Sequence, residues 1–428
     1  MELCTRIEGH GEVEIYLANQ NEDISHVEFV IDAYRGFENI LIKKNLLDIP
    51  KIASRICGLC HASQAISSCK AIEAVYDVEP SEQSILLRRL LMAGEMIKSH
   101  SMHIFFQSLP DLLEIFKIVQ KTLDPYDLIS YNPQMTSIFY DLIKIGNIID
   151  KIFGGRAIHA INIIPGGIIY FPSRKNATIA RKYFQNALSN LDWMIEKFIE
   201  LFSKFSPPKE FELPNPSLLS LHNKGNYDRY SGILGLKQNA KINSFSEKEY
   251  SKIFDKDADL RGINFVGSDK VLVGPFARKE IAENFLTDEI SKYASYFDKS
   301  WYKNVLFSSY VKLLEMYFES KQALKILENP ILENKMSLAP LNSIKKTEGI
   351  GVVEAPRGTL MHHYQIDNKG VINKVKLFIA TEINLPLINQ MITNYAQGLY
   401  QKHDVNIVKK EIQKIIRAFD PCISCATH

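Results

Sequence analysis

A chain of 428 residues, 46% hydrophobic and 23% charged, has the composition of an ordinary globular protein with enough length for a large core. A formal net charge of +2 excludes an electrostatic nucleic-acid binder, and no apolar run is long enough to span a bilayer as a helix. The opening "MELCTRIEGHGEVEIYL" lacks the basic-then-apolar pattern of an export signal, so the chain is expected to stay in the cytoplasm, the default, or to be exported with a partner.

In chain order, "GEVEIYLANQNEDISHVEFVID" alternates apolar and polar residues around Asn and Asp and predicts a β-hairpin within residues 1–32. From Ile49 the period turns helical. "SEQSILLRRLLMAGEMIKSHSMHIFF" follows Pro80, is apolar on more than one side, and predicts a long buried helix ending near Pro110. Helical periodicity returns at Tyr140 to Phe153, Ala177 to Phe205 and Ser300 to Leu327. Between the last two, "SPPKEFELPNPS" predicts a connector and "NKGNYDRYSG" adds loop character. "GIGVVEAPRGTL" and "VINKVKLFIATEI" predict strands around the turn "QIDNKG", and a last helix from Pro386 to Phe419 leads into the tail "DPCISCATH". The expected fold class is therefore α+β and mainly helical, a single intertwined domain over 1–428. Its parts are the hairpin 1–32, a helical core 45–205, a connector and middle region 206–299, and a strand and helix region 300–428.

Six cysteines are present, Cys4, Cys57, Cys60, Cys69, Cys422 and Cys425. "RICGLC" and "DPCISC" are C-x-x-C pairs near opposite ends of the chain, which is not the scatter of a secreted disulfide framework. Such turns let both sulfurs of a pair face one ion, and four thiolates suit zinc, iron or nickel rather than calcium or magnesium. Spacing alone leaves open a joint metal site, structural zinc, or a redox pair of thioredoxin type. Cys4 and Cys69 stand alone and read as small buried hydrophobes.

Taken with its neighbours, this pattern resembles the large, catalytic subunit of nickel-iron hydrogenases, of the cytosolic bidirectional class. "RICGLC" and "DPCISCATH" are joined in order by "TRIEGHGEVEI", "YRGFENIL", "GGRAIHAINIIPGG" and "EAPRG", so the likeness covers the whole chain. The resemblance implies a fold with a buried long-helix core and small β elements at both ends, and heterolytic cleavage of H2 as the reaction. It implies Cys57 and Cys422 as terminal nickel ligands, with Cys60 and Cys425 bridging to an iron that carries CO and cyanide. Arg357 in "EAPRG" would place a guanidinium over the open metal position, and Glu8 in "RIEGH" would relay protons. Pro356, Ala380 and Thr381 would surround the diatomic ligands, with Ala380 departing from the family's usual proline. Glu38, the carbonyl of Leu377 and His428 would hold a second metal, magnesium or iron. Gln64 departs most, since it stands where the family has a histidine that donates to a bridging sulfur; its amide NH2 can make the same bond. His100, His103 and His159 read as core residues, His10 as structural or close to the site, and His362 and His363 as strand-face residues.

The resemblance also implies an obligate iron-sulfur small subunit, further electron-transfer subunits with flavin or iron-sulfur clusters, and a maturation protease and nickel-insertion proteins. The competing class is a Cys4 zinc-binding structural protein or a hydrogenase-like scaffold subunit of a larger redox complex. Scaffold relatives in respiratory complexes have lost the cysteines, and this chain keeps all four.

Overall fold

A computed structural model describes residues 2–18, 23–31, 36–255, 263–265, 270–282, 285, 287–333 and 337–427. The N-terminal alternation does form antiparallel strands, Glu12–Leu17 against Ile24–Val30 with Val13 opposite Phe29, and Glu2–Leu3 adds a third. The Asn-containing turn at 19–22 lies outside the described residues. Val13, Val27 and Phe29 are buried, and the last strand is tied to the Ala380–Tyr400 helix. Val27 N–H donates to Thr393 Oγ1 at 2.9 Å and Phe29 N–H to Asn389 Oδ1 at 3.0 Å, so the two ends of the chain pack together.

The central helix Glu82–His103 is capped by Ser81 and buried on nearly every side, as its all-round apolar pattern requires. It packs beside Pro133–Gly154 and Ser308–Leu327, while Arg174–Phe202 lies against both of these. The rod does not stop at Pro110. After His103 it widens into a π-helical segment, Ile104–Ser108, and continues as Leu109–Ile115. Pro110 falls in the first turn of that last piece, directly after the π-helical widening, and the rod runs on past it.

The middle region carries more structure than a connector. Ser217–His222, Ile233–Gln238 and Lys241–Phe245 form an antiparallel sheet, to which Val271–Leu272 adds in parallel. These strands have at most six residues, so their alternation is too brief to register in the sequence. "GIGVVEAPRGTL" is likewise two strands, Glu348–Ala355 and the start of Gly358–Ile366, which turn at Pro356 and Arg357. Ile372–Phe378 completes that sheet. The final helix is also two. Ala380–Tyr400 takes up "ATEI" and contains Pro386, and Val405–Ala418 restarts at the Asp404 cap.

Two close approaches lock the backbone around the first cysteine pair and Arg357. A Cβ on Gly351 would sit 2.0 Å from the Ser67 carbonyl, so the His61–Tyr76 helix lies directly on the Glu348–Ala355 strand. Gly358 and Gly274, both at positive φ, meet back to back: a Cβ on Gly358 would lie 2.7 Å from Gly274 N. Together they fix the turn that presents Arg357.

Candidate metal centre

Cys57 and Cys60 occupy the turn that opens the His61–Tyr76 helix, with Cys60 at the N-cap; Cys422 caps the short helix Ile423–Ala426, which contains Cys425. The four Sγ atoms lie within 4.8 Å of one another. Cys57 Sγ is 3.4 Å from Cys422 Sγ, Cys60 Sγ is 2.9 Å from Cys425 Sγ, and Cys422 and Cys425 are 2.9 Å apart. All four residues are at most 5% exposed.

The tail that brings in the second pair does not fray. Ile423 N–H donates to the Glu8 carbonyl at 3.0 Å, in a bridge that sets Glu8 beside Cys422. Ser424 donates from N–H to Glu8 Oε2 at 3.0 Å and from Oγ to Oε1 at 2.5 Å. Cys422 N–H donates to Thr381 Oγ1 at 2.8 Å.

Hydrogen bonds from Cys422, Cys425 and Cys60 hold the Cys57 thiol well below its ordinary value. Burial pushes Cys422 well above its own, and Cys425 up to about 11. One thiol thus ionises readily while its neighbours need a cation before they can follow.

Beside the sulfurs, Arg357 is buried and clamped by Asp420. Its Nε donates to the Asp420 carbonyl at 2.9 Å and to Oδ1 at 3.0 Å, and Nη2 lies 2.9 Å from Oδ1. Nη1 donates to Ser99 Oγ at 3.4 Å. Lys312 Nζ donates to the other carboxylate oxygen at 2.7 Å and to His103 Nδ1 at 2.9 Å. Burial opposes the Asp420 charge, yet Arg357, His103 and Lys312 hold this carboxyl well below the usual range. Burial brings Lys312 down to about 8 against the pull of Asp420, and His103 down to about 3. Asp420 has a left-handed backbone (φ 54°), an unusual conformation for a residue other than glycine.

Cys60, Cys422, Cys425, Gln64, Arg357, Ala380 and Thr381 all line one small cavity of about 20 Å³, with Ala355 and Gly358 beside Arg357. The Pro356 carbonyl accepts from Arg278 Nη2 at 2.9 Å. Gln64 Nε2 lies 3.8 Å from Cys425 Sγ. Further off, Leu377 N–H donates to Glu38 Oε1 at 2.7 Å, while His428 lies outside the described residues.

Among the histidines, His100 is buried in the core with Nε2 3.0 Å from Glu315, whereas His159 is half-buried in a loop, its Nδ1 2.7 Å from the Ser54 carbonyl, and is not the core residue expected. His362 does lie on a strand face, within Gly358–Ile366, and from that face its Nε2 is 2.7 Å from Gln64 Oε1. Asp420 and Ser424 escaped the sequence reading, although both stand within "DPCISC", where polar residues flanking ligand-type thiols are a usable signal. His362 gave none, being 298 residues from its partner.

The sequence signature described as nickel-dependent hydrogenase matches residues 35–137 and 306–428, a little over half of the chain. The vhc F420-non-reducing hydrogenase of Methanococcus voltae has a subunit that is 28% identical, over 100% of this chain and 94% of its own length. The NAD-reducing hydrogenase HoxS subunit beta of Cupriavidus necator is 27% identical, over 99% and 93%. The fold matches that of an NAD+-reducing [NiFe]-hydrogenase in its H2-reduced state with a TM-score of 0.91 and 24% identity, covering 100% of this chain and 98% of that one. The Ni-Fe-Se hydrogenase of D. vulgaris Hildenborough follows at 0.78 and 18%, covering 100% and 99%.

Proposed function

The chain belongs to the nickel-dependent hydrogenase family as its catalytic large subunit, an oxidoreductase acting on H2, and on that premise we propose how its own residues serve the reaction. The donor set fits a nickel-iron centre, since four buried sulfurs converge from both ends of the chain and soft thiolates suit both metals. In this reading Cys57 and Cys422 would hold nickel alone, Cys60 and Cys425 would serve both nickel and an iron bearing CO and cyanide, and Pro356, Ala380 and Thr381 would surround those ligands. Bound there, such a centre supplies Lewis-acid polarisation of H2 and a sink for its electron pair.

The protein's part is positioning and proton movement. Thr381 Oγ1 already accepts from Cys422 N–H, so its hydroxyl proton is the one left to donate into the cavity. Arg357, held by Asp420, keeps a permanent positive charge on the cavity wall without reorganising during turnover. Glu8 serves as proton acceptor. Both of its oxygens are held by Ser424, between Cys422 and Cys425, and its half-buried position lets it pass a proton outward.

A second metal, magnesium or iron, would use Glu38, the Leu377 carbonyl and His428; the Glu38–Leu377 contact supports the first two as neighbours. Electrons leave to an iron-sulfur small subunit. An exposed apolar patch, Ile158, Ile161, Ile169 and Tyr170, supports its docking beside the first cysteine pair, since Ile158 Cγ2 would be 3.7 Å from a Cβ on Gly58. We assign this protein to an electron-transfer complex in the cytoplasm, with further flavin or iron-sulfur subunits, and its centre to a maturation protease and nickel-insertion proteins. No helix among the described residues is long and apolar enough to cross a membrane. The entire chain acts as one intertwined domain, because its site draws on both termini.

The convergence of the four sulfurs carries this reading. The test is elemental analysis, infrared spectroscopy and H2 uptake on the protein purified with its partner subunits. One nickel per large subunit, with iron in excess of it from the partners' iron-sulfur clusters and with CO and cyanide bands, is expected; zinc in place of nickel, with neither band, overturns it.

A further inference from the structure

Behind Cys425 four polar side chains line up with no exposure to solvent: Gln64, His362, Tyr364 and Ser68. Gln64 Nε2 is 3.8 Å from Cys425 Sγ, and its Oε1 is 2.7 Å from His362 Nε2. His362 Nδ1 is 2.6 Å from the Tyr364 hydroxyl, which is 3.1 Å from Ser68 Oγ. Two elements supply the row, the His61–Tyr76 helix and the Gly358–Ile366 strand.

A glutamine amide has a donor end and an acceptor end of nearly equal shape, so nothing in Gln64 itself decides which faces the sulfur. The sulfur and the row decide it together. An amide oxygen aimed at a ligand thiolate would set two electron-rich atoms face to face in a dry site, so Nε2 faces Cys425 Sγ and Oε1 faces His362 Nε2. Because Oε1 can only accept, the imidazole carries its proton on Nε2, and Nδ1 is the acceptor facing the Tyr364 hydroxyl at 2.6 Å. Ser68 Oγ, 3.1 Å from that hydroxyl, closes the far end of the row.

We infer that the Ser68–Tyr364–His362–Gln64 row fixes one amide N–H on the Cys425 sulfur, which makes His362 a positioning residue that tunes a bridging thiolate from two side chains away. This rests on the reading of Cys425 as a metal ligand. An N–H aimed at a thiolate withdraws electron density from it, so the row weakens sulfur donation to the metals without placing a titratable group on the sulfur.

The test uses the protein in complex with its partner subunits and reads the CO and cyanide infrared bands together with nickel and iron content. His362→Ala is expected to shift the bands at undiminished metal content and to lower H2 turnover by up to about tenfold. In a Gln64→Leu background the same substitution is expected to add no further shift, because no amide remains to be oriented. Tyr364→Phe, which frees the imidazole tautomer, is expected to shift the bands in the same direction as His362→Ala, and it carries the test if His362→Ala fails to assemble. Unmoved bands, or an equal shift with and without Gln64, overturn the inference while the nickel-iron reading stands. A wild-type protein with no such metals or bands overturns that reading instead.

Discussion

Asp420→Asn isolates what holds Arg357 in place. The substitution keeps the shape of the side chain but removes the charge that faces Arg357 at 2.9 Å and Lys312 at 2.7 Å, in a pocket where all three residues are at most 6% exposed. Removing one partner from a buried ion pair costs about 3–5 kcal/mol, chiefly because the remaining charge stays desolvated. The two cations left behind differ. Arg357 cannot shed its proton, so its share of the penalty is independent of pH. Lys312 titrates at about 8 even with Asp420 beside it, and loses the partner that had been raising that value. Its folded value lies below the unfolded one, so in the wild type stability rises with pH from about 8 upward; the variant begins that rise at lower pH. The difference between the two proteins is therefore full in acid and narrows as pH rises through about 8. We expect a destabilisation of about 4 kcal/mol near pH 6, falling by about 1–2 kcal/mol near pH 9. Denaturant midpoints of the assembled complex at the two pH values, compared with a common slope, measure it. Lys312→Met in the Asp420→Asn background should return part of the loss. A penalty under about 1 kcal/mol, or one equal at both pH values, would refute the argument.

Cys425→Ser is expected to give a folded chain that lacks H2 activity, checked by nickel and iron content beside circular dichroism; retained activity would remove Cys425 from the ligand set. Glu8→Gln keeps the shape that meets Ser424 but cannot take a proton, so turnover is expected to fall about 10²–10⁴-fold at full metal content, read by H2 uptake and infrared bands. Gln64→His puts a direct donor on the sulfur and is expected to keep turnover within about tenfold, or about 1.4 kcal/mol of barrier. Gly351→Ala drives a Cβ into the Ser67 carbonyl and is expected to destabilise by about 1–3 kcal/mol, which a drop in thermal midpoint would show.

The helical core and N-terminal hairpin were legible because their periodicities run over long segments, as in Glu82–His103 and the strands through Val13 and Phe29. The middle sheet was not, since strands such as Lys241–Phe245 are too short for alternation to stand out from loop composition. Helix ends at Pro110 and Pro386 were misplaced because each proline was read as a break: the rod runs on past Pro110 after its π-helical segment, and the Ala380–Tyr400 helix carries Pro386 in its interior despite the lost backbone bond. At the centre, the cysteines announced themselves through spacing. Their surroundings could not, because Asp420 acts through Arg357 and His362 through Gln64, contacts that exist only once distant segments meet.

The cysteine pairs stand 365 residues apart, which makes the centre a ring closure as well as a reaction site. Tying two points so far apart removes loop entropy from the unfolded chain equivalent to about 6 kcal/mol for a covalent link, so loaded metal acts as a clasp on nearly the longest loop this polypeptide can make. Stripping the metals then costs more than activity. It frees the tail and the N-terminal strands that share its hydrogen bonds, and unfolding is expected to begin at that seam rather than in the helical core.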